Sequence, residues 1–266
     1  VRASLPPQMD SLMSVWSDET RPIDQRFSAI DEAFRRFYEQ HPDALLPELK
    51  KLRELAEANE RPLILYEAFN RQAIILNFQG KNQEALPIYD QAERVVEAIG
   101  DTLRMGTVAA NRGNVYAGLG EYLKATEEYT LALERYQATG DLSGERSVRM
   151  ALGNVFVIID SYELGKAYYE EVFEQMGEGT SDRFRGMLSM NMGWCEYKLG
   201  NFESADAWYA TAQSLFEKEK SGFFLLGLYG NQGALHFDRG RFDAAQVCAQ
   251  NGLDLSRSLG AEKDAF

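Results

Sequence analysis

Histidine and cysteine are scarce in this chain of 266 residues, with two of each. Cys195 and Cys248 show no C-x-x-C spacing, so neither a disulfide framework nor a metal site is expected, and both read as small buried hydrophobes. His41 and His236 are the two side chains able to shuttle protons near neutral pH. No serine, cysteine or carboxylate pair shares a recognisable arrangement with His236, so catalysis is not expected. Positive charge is short as well: 28 Lys and Arg stand against 41 Asp and Glu, a formal net charge of −13. A phosphate-binding surface needs clustered basic residues, so nucleic acid is excluded as a partner. No apolar run approaches the roughly 20 residues of a membrane span, and no signal peptide is recognisable, so direct membrane insertion is not expected. The chain opens on Val1 instead of methionine, which leads us to expect that something upstream was removed.

What the chain does have is a period. Ala33, Ala73, Gly113, Gly153, Gly193 and Gly233 stand forty residues apart, and so do Gln40, Gly80, Gly120, Asp160, Gly200 and Gly240. Leu45, Ala85, Ala125, Gly165, Ala205 and Ala245 form a third series, and Leu49, Tyr89, Tyr129, Tyr169, Tyr209 and Ala249 a fourth. Such a period marks a stacked array in which each unit buries its apolar face only against its neighbours. With 45% apolar and 26% charged residues, the chain can build a continuous core.

Each unit reads as two helices. Asp101 is the N-cap of a helix whose apolar face carries Val108, Ala109, Val115, Tyr116 and Leu119, and Gly120 ends it in a left-handed conformation. Glu121 to Thr139 forms the second helix, with Tyr122, Ala125, Tyr129, Ala132 and Tyr136 on one face, and Gly140 closes it. Pro22 and Pro62 are placed at first helical positions, where a missing N–H costs nothing. Upstream, Met9, Leu12, Val15 and Trp16 repeat the spacing of Leu49, Leu52, Leu55 and Ala56, so roughly Gln8–Ser17 is read as a lone second helix capping the array. Glu127 with Glu128, and Glu170 with Glu171, are solvated helix faces, and the glycines are helix stops and contacts, not phosphate loops.

Counting from Gly113, Ala125 lies twelve residues on, Tyr129 sixteen and Ala132 nineteen, with Gly120 and Tyr122 at the turn. This spacing resembles the tetratricopeptide repeat (TPR). The common period is about 34 residues, so the extra length is expected in longer helices. The usual closing proline is replaced by Gln137, Ala249 stands in place of the fourth-series tyrosine, and Gln40 and Leu49 make the first unit the least typical. The resemblance covers about Pro22 to Gly260 and implies an all-α fold, a right-handed superhelical solenoid of antiparallel helix pairs. The expected organisation is a capping segment at 1–20, an atypical unit at 21–60, and five units at 61–100, 101–140, 141–180, 181–220 and 221–260. Residues 261–266 align with Asp101–Gly106 as the start of a further, truncated unit. The forty-residue form resembles kinesin light chain and LGN/Pins arrays, and also the N-terminal sensory regions of bacterial signalling proteins. In that second group the array precedes a cyclase, histidine kinase or DNA-binding output domain. The opening Asp10–Trp16 and the weak unit ending near His41 are closer to the bacterial group, which ranks a periplasmic location ahead of a cytoplasmic one.

The resemblance also implies that first helices line a concave groove. The forty-residue register places Asn111, Asn191 and Asn231 in one inward row with Arg71, and Asn114 and Asn154 in another. A ladder of asparagines can pair with the backbone of an extended peptide whatever its sequence. The alternative is that these amides bond neighbouring helices and set the stacking. Met190, Trp194, Tyr197 and Phe237, with Met150 and Met187, form an apolar patch that anchors ligand side chains or packs into the core. Arg71, Arg104 and Arg183 are candidates for holding a carboxylate. The lysine row of carboxylate-clamp arrays is occupied by Ala110, Met150, Met190 and Gly230, so a terminal-carboxylate ligand is not expected.

The sequence thus leads to a non-catalytic protein- or peptide-binding scaffold, the sensing or assembly region of a larger bacterial signalling protein, with no cofactor and no metal. Its acidity favours neutral or basic partners, unless that charge serves solubility alone. The other readings are the regulatory half of a nucleotide cyclase or histidine kinase, and a module that self-associates as a homodimer through an uncapped C-terminal end around Val247, Leu253 and Leu255.

Overall fold

The computed structural model describes residues 5–177 and 179–260, so the expected start of a further unit at 261–266 and the first four residues of the capping segment lie outside it. The described residues form thirteen α-helices and no strand. They are α1 Pro7–Ser17, α2 Ile23–Phe37, α3 Pro42–Ala58, α4 Pro62–Phe78, α5 Asn82–Ala98, α6 Thr102–Gly118, α7 Tyr122–Thr139, α8 Leu142–Ile158, α9 Tyr162–Glu174, α10 Asp182–Lys198, α11 Phe202–Lys218, α12 Gly222–Asp238 and α13 Phe242–Ser258. From α10 to α12, helices of 17 residues alternate with turns at 199–201 and 219–221, which together fill the forty-residue period. The length added to the common repeat is therefore in the helices.

The turns follow from the sequence. Gly120 takes φ +75°, and the N–H of Glu121 reaches back to the Tyr116 carbonyl at 2.9 Å, satisfying a carbonyl that the helix end would leave bare. Glu60, Asp160 and Lys220 hold the same left-handed conformation without being glycine. At the start of α6 the Asp101 carboxylate accepts from the Arg104 N–H at 2.9 Å. Pro62 is the first residue of α4, whereas Pro22 stands one position before α2.

The chain divides into two compact units within α8, at Val148 and Arg149, and each is taken by itself. In the first, Met9, Ile30, Leu45, Leu49 and Leu52 form one fully buried cluster, so α1 covers the apolar side of α2 and α3. Tyr66, Ala73, Tyr89, Val96, Val108 and Val115 form the next, drawn from α4, α5 and α6. In the second unit, Tyr169, Val172, Leu188, Met192 and Cys195 pack together, followed by Tyr209, Ala212, Phe216, Leu228 and Leu235.

Within pairs, a tyrosine of the second helix lies on a glycine of the first. A Cβ added at Gly113 would lie 2.5 Å from the Tyr129 ring, at Gly153 2.4 Å from Tyr169, and at Gly193 2.6 Å from Tyr209. The final pair breaks the pattern: with Ala249 at the tyrosine position, a Cβ on Gly233 would meet only Cys248 at 3.6 Å and the Ala245 carbonyl at 4.0 Å. A pocket of about 580 Å³ opens there, lined by Gly230, Gly233, Ala245, Ala249 and Gly252 among others. Of the three residues expected at a self-associating end, Val247 is 58% exposed, Leu253 lines this pocket, and Leu255 packs onto the Tyr209 and Phe216 cluster.

Helix propensity alone favours alanine over glycine by about 1 kcal/mol. Gly153→Ala is nevertheless expected to lower stability by about 1–3 kcal/mol in urea denaturation, because its methyl must displace the Tyr169 ring. Ala249→Tyr is expected to raise the urea midpoint by seating a ring on Gly233.

Candidate functional site

Polar side chains link consecutive first helices. In the first unit, Arg71 of α4 pairs with Asp31 of α2, and the Asn111 amide of α6 donates to Asn70 Oδ1 of α4 at 2.9 Å. In the second, the Asn191 amide of α10 donates to Asn154 Oδ1 of α8 at 3.5 Å, a long bond, and the Tyr197 hydroxyl donates to Asp238 of α12. These contacts span the inward row read from the sequence, so Asn111 and Asn191 each already bond to the preceding first helix.

Asn114 and Asn154 differ. Each accepts at Oδ1 from the tyrosine fifteen residues later, Tyr129 and Tyr169, at 2.7 Å. Burial pushes the Tyr129 phenol up to about 12 and raises that of Tyr169 as well, so both remain hydroxyl donors across the physiological range. The tyrosine hydroxyl fixes the amide by its oxygen. The NH2 of each side chain has no partner among the described residues, and both asparagines are exposed. Asn231 is half-buried and makes no side-chain hydrogen bond among the described residues.

Arg71 does not stand ready for a ligand carboxylate. It is 12% exposed, bonds Glu67 at 2.8 Å and Asp31, and lies 5.2 Å from the Phe34 ring centroid. Arg104 is similarly held by Asp101 at 2.6 Å. Met190 is half-buried against the Tyr209 and Phe216 cluster, and Phe237 is 62% exposed with its ring 5.5 Å from Phe242.

The structure brings Asn154, Asn191 and Trp194 together. With Val157, Ile158 and Tyr169 they line a pocket of about 320 Å³ formed by α8, α9 and α10. Trp194 and Tyr197 meet edge to face at 5.5 Å. Three residues at this place are absent from the sequence reading: Tyr162, Lys198 and Asp238. Trp194, Tyr197 and Lys198 are three and four positions apart on one helix, which a helical projection reveals, whereas Tyr162 comes from α9.

The two histidines fall in different compact units, on α12 and at the start of α3. Burial pushes the Cys195 thiol up to about 12, far from the range of a reactive thiolate. Among the described residues, no helix is long and apolar enough to cross a membrane, and no group of three or more His, Cys, Asp or Glu could hold a metal ion.

Helices of this length, paired with glycine-on-tyrosine contacts at a fixed register, give the fold of a tetratricopeptide-repeat array. Residues 65–138 match the tetratricopeptide repeat family. Protein KINESIN LIGHT CHAIN-RELATED 1 of Arabidopsis thaliana is 24% identical over 228 residues, covering 82% of this chain and 37% of the relative, so the chain spans little more than a third of that protein's length. Among solved structures, BtubC (BKLC) from P. vanneervenii superposes with a TM-score of 0.69 at 17% identity, covering 90% of this chain and 93% of that one. The apo quorum sensor NprR from B. thuringiensis superposes with a TM-score of 0.70 at 14% identity, covering 94% and 75%. NprR in complex with its cognate peptide NprX gives 0.61 at 14% identity, covering 94% and 73%. At these identities the likeness is one of fold.

Tyr169→Phe is expected to cost about 0.5–1.5 kcal/mol in denaturation, the net worth of one hydrogen bond, and to move the Asn154 side-chain amide resonances in a ¹H–¹⁵N spectrum. Cys195 is expected to resist a thiol reagent in the native protein and to react at the rate of a free thiol in denaturant.

Proposed function

We propose that this array binds an extended peptide or protein segment along its first helices, as the sensing or assembly region of a larger bacterial signalling protein. The observation that carries this reading is the pocket shared by Asn154, Asn191 and Trp194, in which the Asn154 amide is held by Tyr169 with its donors unspent. An amide fixed in this way can donate to a backbone carbonyl of any sequence, while Trp194 offers a rigid aromatic surface beside it. The same arrangement of Asn114 and Tyr129 in the first unit repeats the donor. NprR, whose fold is shared, is a quorum sensor with a cognate peptide, which supports a peptide as the ligand class here. The acid excess gives neutral or basic segments the electrostatic advantage, chiefly in association rate.

The test is binding of an array of unstructured peptides of graded charge, read by fluorescence anisotropy. Asn154→Asp, which keeps the oxygen that Tyr169 and Asn191 bond and removes only the NH2 donors, is expected to weaken capture of neutral peptides by about tenfold, the equivalent of 1.4 kcal/mol. Stability should fall by less than about 0.5 kcal/mol, since the buried Tyr169 hydroxyl keeps its acceptor. Equal losses in capture and stability would assign Asn154 to helix stacking instead. Binding of acidic peptides as tight as that of basic ones would remove the charge preference.

A second reading, a homodimer through α12 and α13, is favoured by the exposure of Phe223 at 78%, Phe242 at 62% and Val247 at 58%. Sedimentation across concentration is expected to show a mass increase that Val247→Asp abolishes, and a single monomeric species throughout would end this reading.

A further inference from the structure

Lys198, the last residue of α10, holds its ammonium among three aromatic rings. Nζ lies 5.5 Å from the Trp194 ring centroid, 5.6 Å from Tyr162 and 6.0 Å from Tyr197. All three distances fall within the reach of a cation–π contact. Carboxylates outnumber basic groups in this chain, yet Lys198 makes no salt bridge among the described residues. Nearby Lys166 does, reaching Glu196 at 2.7 Å.

The rings do not depend on Lys198 for their places. The Tyr162 hydroxyl donates to Asp160, the Tyr197 hydroxyl donates to Asp238, and Trp194 abuts Tyr197 edge to face. These hydrogen bonds push both phenols up to about 12, so the rings stay neutral, and the two carboxylates behind them favour a cation in front. Nor does stacking require them. At the register position of Trp194 the other units carry Phe34, Ile74, Asn114, Asn154 and Ala234, and at that of Tyr197 they carry Phe37, Asn77, Ala117, Val157 and Phe237; only the atypical first unit has rings at both, and there Tyr38 stands in place of Lys198. The cluster belongs to one place in the array, and Trp194 is shared between it and the pocket of Asn154 and Asn191.

We propose that Tyr162, Trp194 and Tyr197 form a cage for the lysine or arginine side chain of a bound segment, and that Lys198 occupies it when no ligand is present. The role of the cage as a subsite rests on the peptide-binding reading above. A segment whose backbone pairs with the asparagines passes its side chains over Trp194, and a basic one displaces an exposed, flexible lysine that has no carboxylate to hold it. Lys198 thereby screens the groove: neutral side chains leave it seated, and a cation must compete with it. If the resident lysine fills the cage about nine-tenths of the time, it weakens apparent cation affinity about tenfold, since affinity scales with the fraction of competent sites.

The cage can be tested without any peptide, using tetramethylammonium chloride as the probe and sodium chloride at equal ionic strength as the control. The readout is the indole N–H resonance of Trp194, assigned by its loss in Trp194→Phe. Lys198→Ala is expected to give a saturable, tetramethylammonium-dependent shift with an apparent dissociation constant about tenfold below that of the unaltered protein. Lys198→Arg, which restores a resident cation, should return it to the starting value. Equal constants in the unaltered and Lys198→Ala proteins, or the same shift with sodium chloride, would overturn the proposal. Such a result would leave capture of neutral peptides by Asn154 untouched, so the two readings fail separately.

Discussion

The helix pairs at the centre of this array depend on the absence of a single carbon atom. At Gly113, Gly153 and Gly193 a β-carbon would intrude to within 2.4–2.6 Å of a tyrosine ring, far inside van der Waals contact. Because the carbon is missing, Tyr129, Tyr169 and Tyr209 lie flat against the backbone of the first helix and are almost wholly buried. Each buried ring removes a large apolar area from water, which fixes the register of the two helices more tightly than small residues could. The same ring delivers its hydroxyl to the edge of the first helix, where Asn114 or Asn154 receives it. A packing device thereby orients a polar side chain on the open face.

That coupling divides the atoms of these asparagines. The oxygen of Asn154 serves the scaffold through Tyr169 and Asn191, while its NH2 has no partner among the described residues. Asn111 and Asn191 divide differently, since their donors reach the neighbouring first helix. Tyr209, with Trp194 and not asparagine at the matching position, keeps a buried hydroxyl without a partner among the described residues. Replacing asparagine with tryptophan there exchanges one hydrogen bond for an aromatic surface, which costs the fold a satisfied polar group.

The forty-residue period made the helix pairs, the left-handed turn residues and the glycine–tyrosine contacts legible, because each is a local rule repeated in register. Pro47 and Pro87 show where local rules stop. Both lie inside helices, α3 and α5, where propensity would end them. Burial of Leu45 and Leu49 around the first, and of Ala85 and Tyr89 around the second, outweighs that cost. The candidate site was legible only in its residues, not in their partners. Register identifies Asn111, Asn191 and Arg71 as equivalent positions, but Asn70, Asn154 and Asp31 meet them from 37 to 41 positions away through helix geometry that periodicity does not encode. The bond from Tyr129 to Asn114 was readable in principle, since the same spacing of fifteen recurs at Tyr169 and Asn154. Apolar periodicity alone accounts for these tyrosines as packing residues and says nothing of their hydroxyls.

The acidity of the surface is itself a product of stacking. Arginines link helices from within: Arg112 of α6 joins Glu93 of α5 to Glu128 of α7 at 3.1 Å, and Arg135 of α7 bonds Glu93 at 3.2 Å and the Met105 carbonyl at 2.8 Å. Arg149 pairs with Glu171 at 2.8 Å, and Arg239 with Asp206 at 3.2 Å. A guanidinium suits this task because it bonds several acceptors at once and stays charged when desolvated. Such pairs add little net stability over apolar contacts, yet they penalise any slip that would leave one charge unmatched. Each arginine committed in this way is one fewer on the exposed faces, where carboxylates are already in excess. The negative field around the array thus follows from the use of its arginines as internal fasteners, and it weakens as salt screens the exposed carboxylates.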